Sequence, residues 1–187
     1  MKTNAGNLKK GDFIYYQNEI WQVQKADFYS PGKGSALMKT RIKNLVSAKN
    51  IEYTYKSAEQ VETLDVESIE MQYLYKDHEN CYFMNGRTYN QYTVPLTVVG
   101  NVANFFKEGD KMYVFLHDEK PLTIRAPLSV RLKIVEAEDA AKGDTVSGAK
   151  KTVKLETGVT VMVPIFIKVG ETIMVNPETG EYTGRIT

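Results

Sequence analysis

Short runs rich in Val, Ile, Thr, Tyr and Phe, broken by turn-forming residues, recur along the whole chain and predict an all-β protein built from small sheets. Phe13-Ile14-Tyr15-Tyr16, the turn Gln17-Asn18-Glu19 and Ile20-Trp21-Gln22-Val23 predict a first hairpin. A second is expected from residues 25–28 and 37–45, joined through 29–36, and a strand at 51–55 would complete a five-stranded barrel. The alternation restarts at Ser68 and runs to Tyr75, turns through polar residues 76–80, and returns over 81–84. Asn85-Gly86 is the strongest hairpin dipeptide, because both residue types tolerate the positive φ of a type I′ turn. Leu96, Val99, Val102, Ala103 and Phe106 follow helical spacing and predict one short helix despite Gly100. Strands at 111–116 and 121–124 flank a turn at His117-Asp118-Glu119-Lys120. A third restart near Ser129 precedes a polar loop over 138–151, then strands at 153–155, 159–163, 172–175 and 182–186. The expected organisation is three consecutive β-barrels over 1–64, 65–128 and 129–187, with no internal repeat and no low-complexity tract.

A hydrophobic content of 42% and a charged content of 25% fit packed cores. One cysteine, Cys81, rules out an intrachain disulfide and a cysteine-built zinc site, which points to a reducing, cytoplasmic setting. The N-terminal residues lack a signal-peptide core, and the most apolar stretch, 159–169, is too short to span a bilayer and is interrupted by Pro164 and Lys168. A soluble protein with no membrane partner is therefore expected. Net charge is +1, but residues 1–64 carry 10 Lys+Arg against 6 Asp+Glu, whereas 65–128 carry 6 against 9 and 129–187 carry 8 against 8. The basic excess at the front is compatible with a polyanionic partner and is also common in proteins that touch no nucleic acid.

Catalytic signatures are sparse. Gly6-Asn7-Leu8-Lys9-Lys10-Gly11 spaces its glycines like a phosphate-binding loop, yet Asp12 stands where lysine is needed and a strand follows. His78 and Cys81 could suggest a base and a thiol, but no third orienting group is evident; a packed strand cysteine beside an exposed histidine is the plainer reading. His117 is expected to be solvated, and carboxylates such as Glu138-Asp139 sit in polar loops. No catalytic residue, metal site or cofactor is expected.

The segment Ser30-Pro31-Gly32-Lys33-Gly34-Ser35-Ala36 is different. Proline fixes φ on entry, the glycines permit conformations closed to other residues, and Lys33 stands at the apex without a bulky neighbour. A hairpin tip that happens to be lysine accounts for these residues. On these residues alone that plain reading leads, and a modification target or a cation that probes an anionic cleft is the alternative.

At this loop the chain resembles the elongation factor P family. Pro31-Gly32-Lys33-Gly34 matches the family's modified-lysine loop, and Met71-Gln72-Tyr73-Leu74-Tyr75-Lys76-Asp77 resembles the opening strand of its second barrel. Residues 151–158, Val161, Val163-Pro164, Ile167 and Gly170 follow the family's C-terminal signature, and Gly180-Glu181-Tyr182 with Arg185 resembles its ending. The resemblance implies an SH3-like (KOW-like) barrel followed by two oligonucleotide-binding-fold (OB-fold) barrels, arranged as an L-shaped mimic of transfer RNA. It also implies a monomer that enters the 70S ribosome between the peptidyl (P) and exit (E) sites and relieves stalling at consecutive prolines. Residues Ser30, Pro31, Gly32, Lys33, Gly34, Ser35 and Ala36 would then approach the P-site peptidyl-tRNA, and a lysine-modifying enzyme would act on Lys33. In the third barrel Gly143, Asp144, Thr145, Ser147 and Gly148 resemble the segment that approaches the E-site codon of the messenger RNA, and Tyr182 and Arg185 would join them in contacting the ribosome or messenger RNA. Val153 stands where alanine is usual in the signature. Lys33 excludes the arginine-bearing subtype, and Ser35 leaves the adduct open between a β-lysyl group, an aminoalcohol and none. The third barrel distinguishes the chain from the two-domain hypusine factor of eukaryotes and archaea.

Two other readings compete. A generic single-stranded RNA binder would stack bases on Tyr15, Tyr53 and Tyr55, although strand alternation assigns most of these rings to the core. An enzyme would need a pocket of convergent titratable groups.

Overall fold

The alternating runs become three sheets that follow one another along the chain, in a computed structural model that describes residues 1–138 and 149–186. By contact density the chain divides into two compact units, one of Met1–Ile69 with Val114–Thr123 and the other of Glu70–Tyr113 with Ile124–Thr187.

The first sheet contains β1 (Lys2–Asn4), β2 (Phe13–Tyr16), β3 (Glu19–Tyr29), β4 (Leu37–Asn44), β5 (Asn50–Lys56) and β6 (Gln60–Thr63), in the order β1-β6-β2-β3-β4-β5. It has six strands where the sequence predicts five. The missed pair is short and polar: β1 pairs Lys2 with Glu62 and Asn4 with Gln60, and three residues are too few to display an alternation. The expected break after Val23 does not occur. Instead β3 runs on for eleven residues and shifts register between Val23 and Lys25, so a bulge bends one strand where two are predicted. Gln17 and Asn18, with φ of 53° and 63°, form the two-residue β2–β3 turn, whose twist suits the flanking strands.

Alternation on β4 turns Met38, Thr40, Ile42 and Asn44 inward and Lys39 and Arg41 outward. The core gathers Ala5, Leu8, Ile14, Trp21, Val23, Met38, Ile42, Tyr55 and Val61. Two of its buried polar side chains, Thr40 and Asn44, are satisfied. Thr40 Oγ1 donates to the Tyr53 carbonyl, and Asn44 donates to Glu19 while its Oδ1 accepts from the backbone of Val46 and Ser47, which closes the turn after β4. The Val114–Thr123 segment adds Phe115, whose ring lies 5.4 Å from Phe13, and His117, whose Nδ1 is 2.7 Å from the Asp65 carbonyl. His117 is thus held against backbone on one side and only partly solvated, because a turn residue still faces whatever packs beside the turn.

The second sheet holds β7 (Glu67–Lys76), β8 (Asn80–Asn85), β9 (Gln91–Pro95), β10 (Lys111–His117) and β11 (Lys120–Arg125), in the order β11-β10-β7-β8-β9. The β8–β9 connection departs from expectation. Gly86 does not take positive φ; the Asn85 carboxamide accepts from the Arg87 and Thr88 amides, and Tyr89 adopts the left-handed conformation at φ 60°. An Asn side chain that captures its own following amides builds an Asx turn, and this longer loop displaces the type I′ turn. The positive-φ pair occurs at Asp118 and Glu119 between β10 and β11. The expected helix is split, with α1 (Leu96–Val99) ending at Gly100, φ 75°, and a 3-10 turn running on through Phe105. Tyr73 packs edge-on against Phe83 and Phe106, with centroids 5.7 and 5.6 Å away, to form the centre of this core.

The third sheet contains β12 (Val130–Ala137), β13 (Lys150–Leu155), β14 (Thr160–Pro164), β15 (Thr172–Val175) and β16 (Tyr182–Arg185), in the order β14-β13-β12-β15-β16. Leu132, Ile134, Leu155, Val163, Ile167, Ile173 and Val175 are fully buried between its arms. Glu156 secures the turn after β13, accepting from the Lys133 amide at 2.9 Å and pairing with Lys107 at 3.3 Å.

Candidate functional site

The β3–β4 hairpin carries the loop that the sequence singles out. Its last rungs pair Phe28 with Met38 and Tyr29 with Leu37, so residues 30–36 lie beyond the ladder. The Ser57 amide donates to the Ala36 carbonyl at 2.8 Å and ties down the C-terminal end of the loop. Pro31 is half-buried, whereas Gly32, Lys33, Gly34 and Ser35 are exposed. Gly34 sits at φ +110°, a backbone conformation that L side chains rarely adopt, and Pro31 Cγ lies 3.9 Å from the point where a Cβ would stand. Gly32 is conformationally ordinary, with open space around it.

Among the described residues Lys33 has no hydrogen bond and no ion pair, so its charge is not spent inside the protein. The hairpin that carries it bears exposed aromatic rings and a lysine stacked on one of them. Phe28 and Tyr29 are 57% and 51% exposed, and the Lys39 ammonium lies 5.3 Å above the Tyr29 ring. Lys25 pairs with Asp27 at 2.6 Å on the same hairpin. An open depression of about 710 Å³ at the base of the loop is lined by Phe28, Ser35, Ala36, Lys56 and Ser57, among others. Such a surface can pair with phosphate and receive an apolar or stacked group, and it presents an amine that a modifying enzyme can reach.

The exposed aromatic pair escaped the sequence reading, although a signal was present. After Ala26 the residues Asp27, Phe28 and Tyr29 are all exposed, so this end of β3 has lost its buried face. These residues stay in the sheet through their pairing with β4, and the two adjacent rings on its exposed end are available for contact.

On β16, Tyr182 is half-buried and Arg185 exposed. Residues three apart on a regular strand face opposite sides, but the register shifts here: Tyr182 stands opposite Val175 and Arg185 opposite Ile173. Thr183 is the extra residue, and this bulge places Tyr182 and Arg185 on one face. Arg185 has no hydrogen bond or ion pair among the described residues. Tyr182 also lines an open depression of about 730 Å³ with Lys150, Thr152, Thr160 and Met162. Gly143, Asp144, Thr145, Ser147 and Gly148 lie outside the described residues.

Cys81 is wholly buried, and burial pushes its thiol up to about 11, so it stays protonated near neutrality. His78 is exposed on the adjoining turn. Among the described residues no group of three or more His, Cys, Asp or Glu could hold a metal ion, and no helix is long and apolar enough to cross a membrane.

Comparison with known proteins accounts for all three sheets. Residues 4–61 match the family model of the elongation factor P KOW-like domain, residues 66–124 that of the elongation factor P OB domain, and residues 130–185 that of the elongation factor P C-terminal domain. The chain is 38% identical to elongation factor P of Aquifex aeolicus over 98% of its own length and 95% of the relative's. It is 39% identical to elongation factor P of Thermotoga maritima over 97% and 98%. Among solved structures, eukaryotic translation initiation factor 5A from Methanococcus jannaschii is similar in fold, with a TM-score of 0.52 at 17% identity, and covers 67% of this chain and 92% of that one.

Proposed function

The chain belongs to the elongation factor P family of translation elongation factors, and from that premise we propose that it binds the 70S ribosome between the P and E sites and speeds peptide bond formation at consecutive prolines. The observation that carries this reading is the exposed Lys33 ammonium, without hydrogen bond or ion pair among the described residues, beyond the last rung of the β3–β4 hairpin. In this reading residues 1–64, 65–128 and 129–187 form three domains, and the factor works in the cytoplasm as a monomer. The 30–36 loop meets the end of the peptidyl-tRNA, where Lys33 pairs with backbone phosphate. Tyr182 and Arg185 face ribosomal RNA, and the segment containing Gly143, Asp144, Thr145, Ser147 and Gly148 approaches the E-site codon.

The chemistry asked of Lys33 is positional. Proline reacts slowly because its ring fixes φ and its nitrogen is secondary, so the donor and acceptor groups seldom align. Restricting the peptidyl end removes that entropic obstacle. A tenfold gain in rate requires about 1.4 kcal/mol, well within what orientation supplies, so Lys33 need not act as acid, base or nucleophile. A modifying enzyme that lengthens the side chain would extend its reach into the site.

The test replaces Lys33 with alanine. Among the described residues the exposed side chain makes no hydrogen bond or ion pair, so Lys33→Ala is expected to melt like the parent while slowing synthesis through a triple-proline reporter about tenfold or more. An equal slowing of a proline-free reporter would contradict the proposed role. Intact mass of the protein from its native host identifies the adduct on Lys33.

A further inference from the structure

A second depression in the first barrel, about 340 Å³ in volume, is lined by Tyr15, Tyr16, Tyr53, Tyr55, Glu59 and Glu62. Alternation on β5 turns Tyr53 and Tyr55 to the same face, and β2 supplies Tyr16. The ring centroids of Tyr16 and Tyr53 are 5.1 Å apart and those of Tyr53 and Tyr55 4.5 Å apart, which makes a continuous aromatic wall. Tyr55 is only 3% exposed, yet its hydroxyl has no hydrogen-bond partner. A buried phenol left unpaired loses the hydrogen bonds it had in water.

The charges around this wall have one dominant sign. Burial first, then the neighbouring Tyr16, Tyr53 and Glu59, hold the Tyr55 hydroxyl protonated far above neutrality, so it offers a neutral oxygen acceptor. Glu59 Oε2 accepts from the Lys56 amide at 3.2 Å, which fixes its carboxylate at the rim. Glu62 stands opposite Lys2 and Tyr15 in register and makes no ion pair among the described residues. Lys2 is the one cation lining the opening against these two carboxylates.

Electron-rich ring faces, two carboxylates and an unused oxygen acceptor suit a cation that carries N–H donors, and they repel phosphate. We propose that this pocket binds an alkylammonium group, borne either by a free polyamine or by a lysine side chain of a protein partner. This assignment is independent of the role of Lys33.

The chain carries its own reporter, because its single tryptophan, Trp21, meets Tyr16 edge-on at 5.7 Å. The full-length protein is titrated with spermidine and, separately, with Nα-acetyl-lysine methylamide, each against sodium chloride at matched ionic strength, and Trp21 emission is recorded. A saturable change in at least one arm is expected: spermidine alone identifies a free polyamine, the lysine analogue alone a protein side chain, and both the shared ammonium chemistry. Glu62→Gln is expected to weaken binding up to about fivefold and Tyr53→Leu about tenfold, while Glu178→Gln in the turn between β15 and β16 leaves it unchanged. Tyr55→Phe keeps the ring and the fold and isolates the hydroxyl, with a several-fold weakening expected. The proposal is overturned if neither ammonium saturates beyond the salt control, or if binding is undiminished in both Glu62→Gln and Tyr53→Leu.

Discussion

Gly34→Ala tests whether the shape of the loop, as well as its charge, carries the activity. At φ +110° an alanine is strained whatever its surroundings, at a cost of about 1–3 kcal/mol. Steric conflict adds little, since the nearest neighbour of the new Cβ is Pro31 Cγ at 3.9 Å, an ordinary contact. The loop lies beyond the last rung at Tyr29 and Leu37, so the strain is relieved by rearranging residues 30–36 and not by opening the barrel. A bias of that size lowers the population of the native loop conformer by about 5- to 150-fold, while the melting temperature barely moves. Gly32→Ala is the internal control, because Gly32 lacks positive φ and a Cβ there meets nothing within 4 Å; its rate should stay within about twofold of the parent. The assay is the rate of triple-proline synthesis in a reconstituted translation system against factor concentration, with intact mass confirming that all three proteins carry the same Lys33 side chain. Parental activity in Gly34→Ala, or equal damage from Gly32→Ala, would refute the argument that backbone geometry at residue 34 presents Lys33.

Three further outcomes are expected. Arg185→Ala, at an exposed side chain with no partner among the described residues, should leave stability within about 0.5 kcal/mol yet weaken ribosome co-sedimentation several-fold, slowing proline-rich and ordinary reporters alike at limiting factor. Cys81, buried and with its thiol pushed up to about 11, should resist a thiol reagent in the native protein and react only as denaturant opens the second core; fast labelling without denaturant would refute this. Burial opposes ionisation of Glu156, but hydrogen bonds from Lys133 and Lys107 prevail and hold its carboxyl below the usual range. Its stabilisation is therefore complete above the ordinary carboxylate pKa and lost as pH falls through the lowered value, so the deficit in melting temperature of Glu156→Gln should be present at pH 7 and vanish in acid.

The three sheets and most hairpins were legible because two-residue alternation survives wherever one strand face is buried. Where a strand is three or four residues long, as in β1 and β6, only one or two side chains turn inward and no period is expressed. The loop at Asn85 failed for another reason. The dipeptide Asn-Gly satisfies a type I′ turn, but the same carboxamide also caps two amides downstream, and a composition rule cannot rank two uses of one side chain.

The two candidate sites of the first barrel differ in legibility for a reason that concerns register. The lysine loop is contiguous, and its residue types follow from local backbone demands: proline at the entry, and glycine where φ reaches +110°. The aromatic pocket is assembled from β2, β5 and β6, and no local pattern shows that Tyr16, Tyr53, Tyr55 and Glu62 converge. Its rings read as core, and Tyr55 is core by burial while its hydroxyl remains unsatisfied. Which ring of the Tyr15-Tyr16 pair joins the wall depends on Tyr15 pairing with Ile20 and Tyr16 with Glu19, and a slip of one residue would exchange them. The two-residue turn at Gln17 and Asn18 sets that pairing. Lengthening this turn by one residue should therefore disturb the Tyr16–Trp21 contact and the pocket while leaving the Lys33 hairpin, anchored separately by the β3–β4 and β4–β5 ladders, in place.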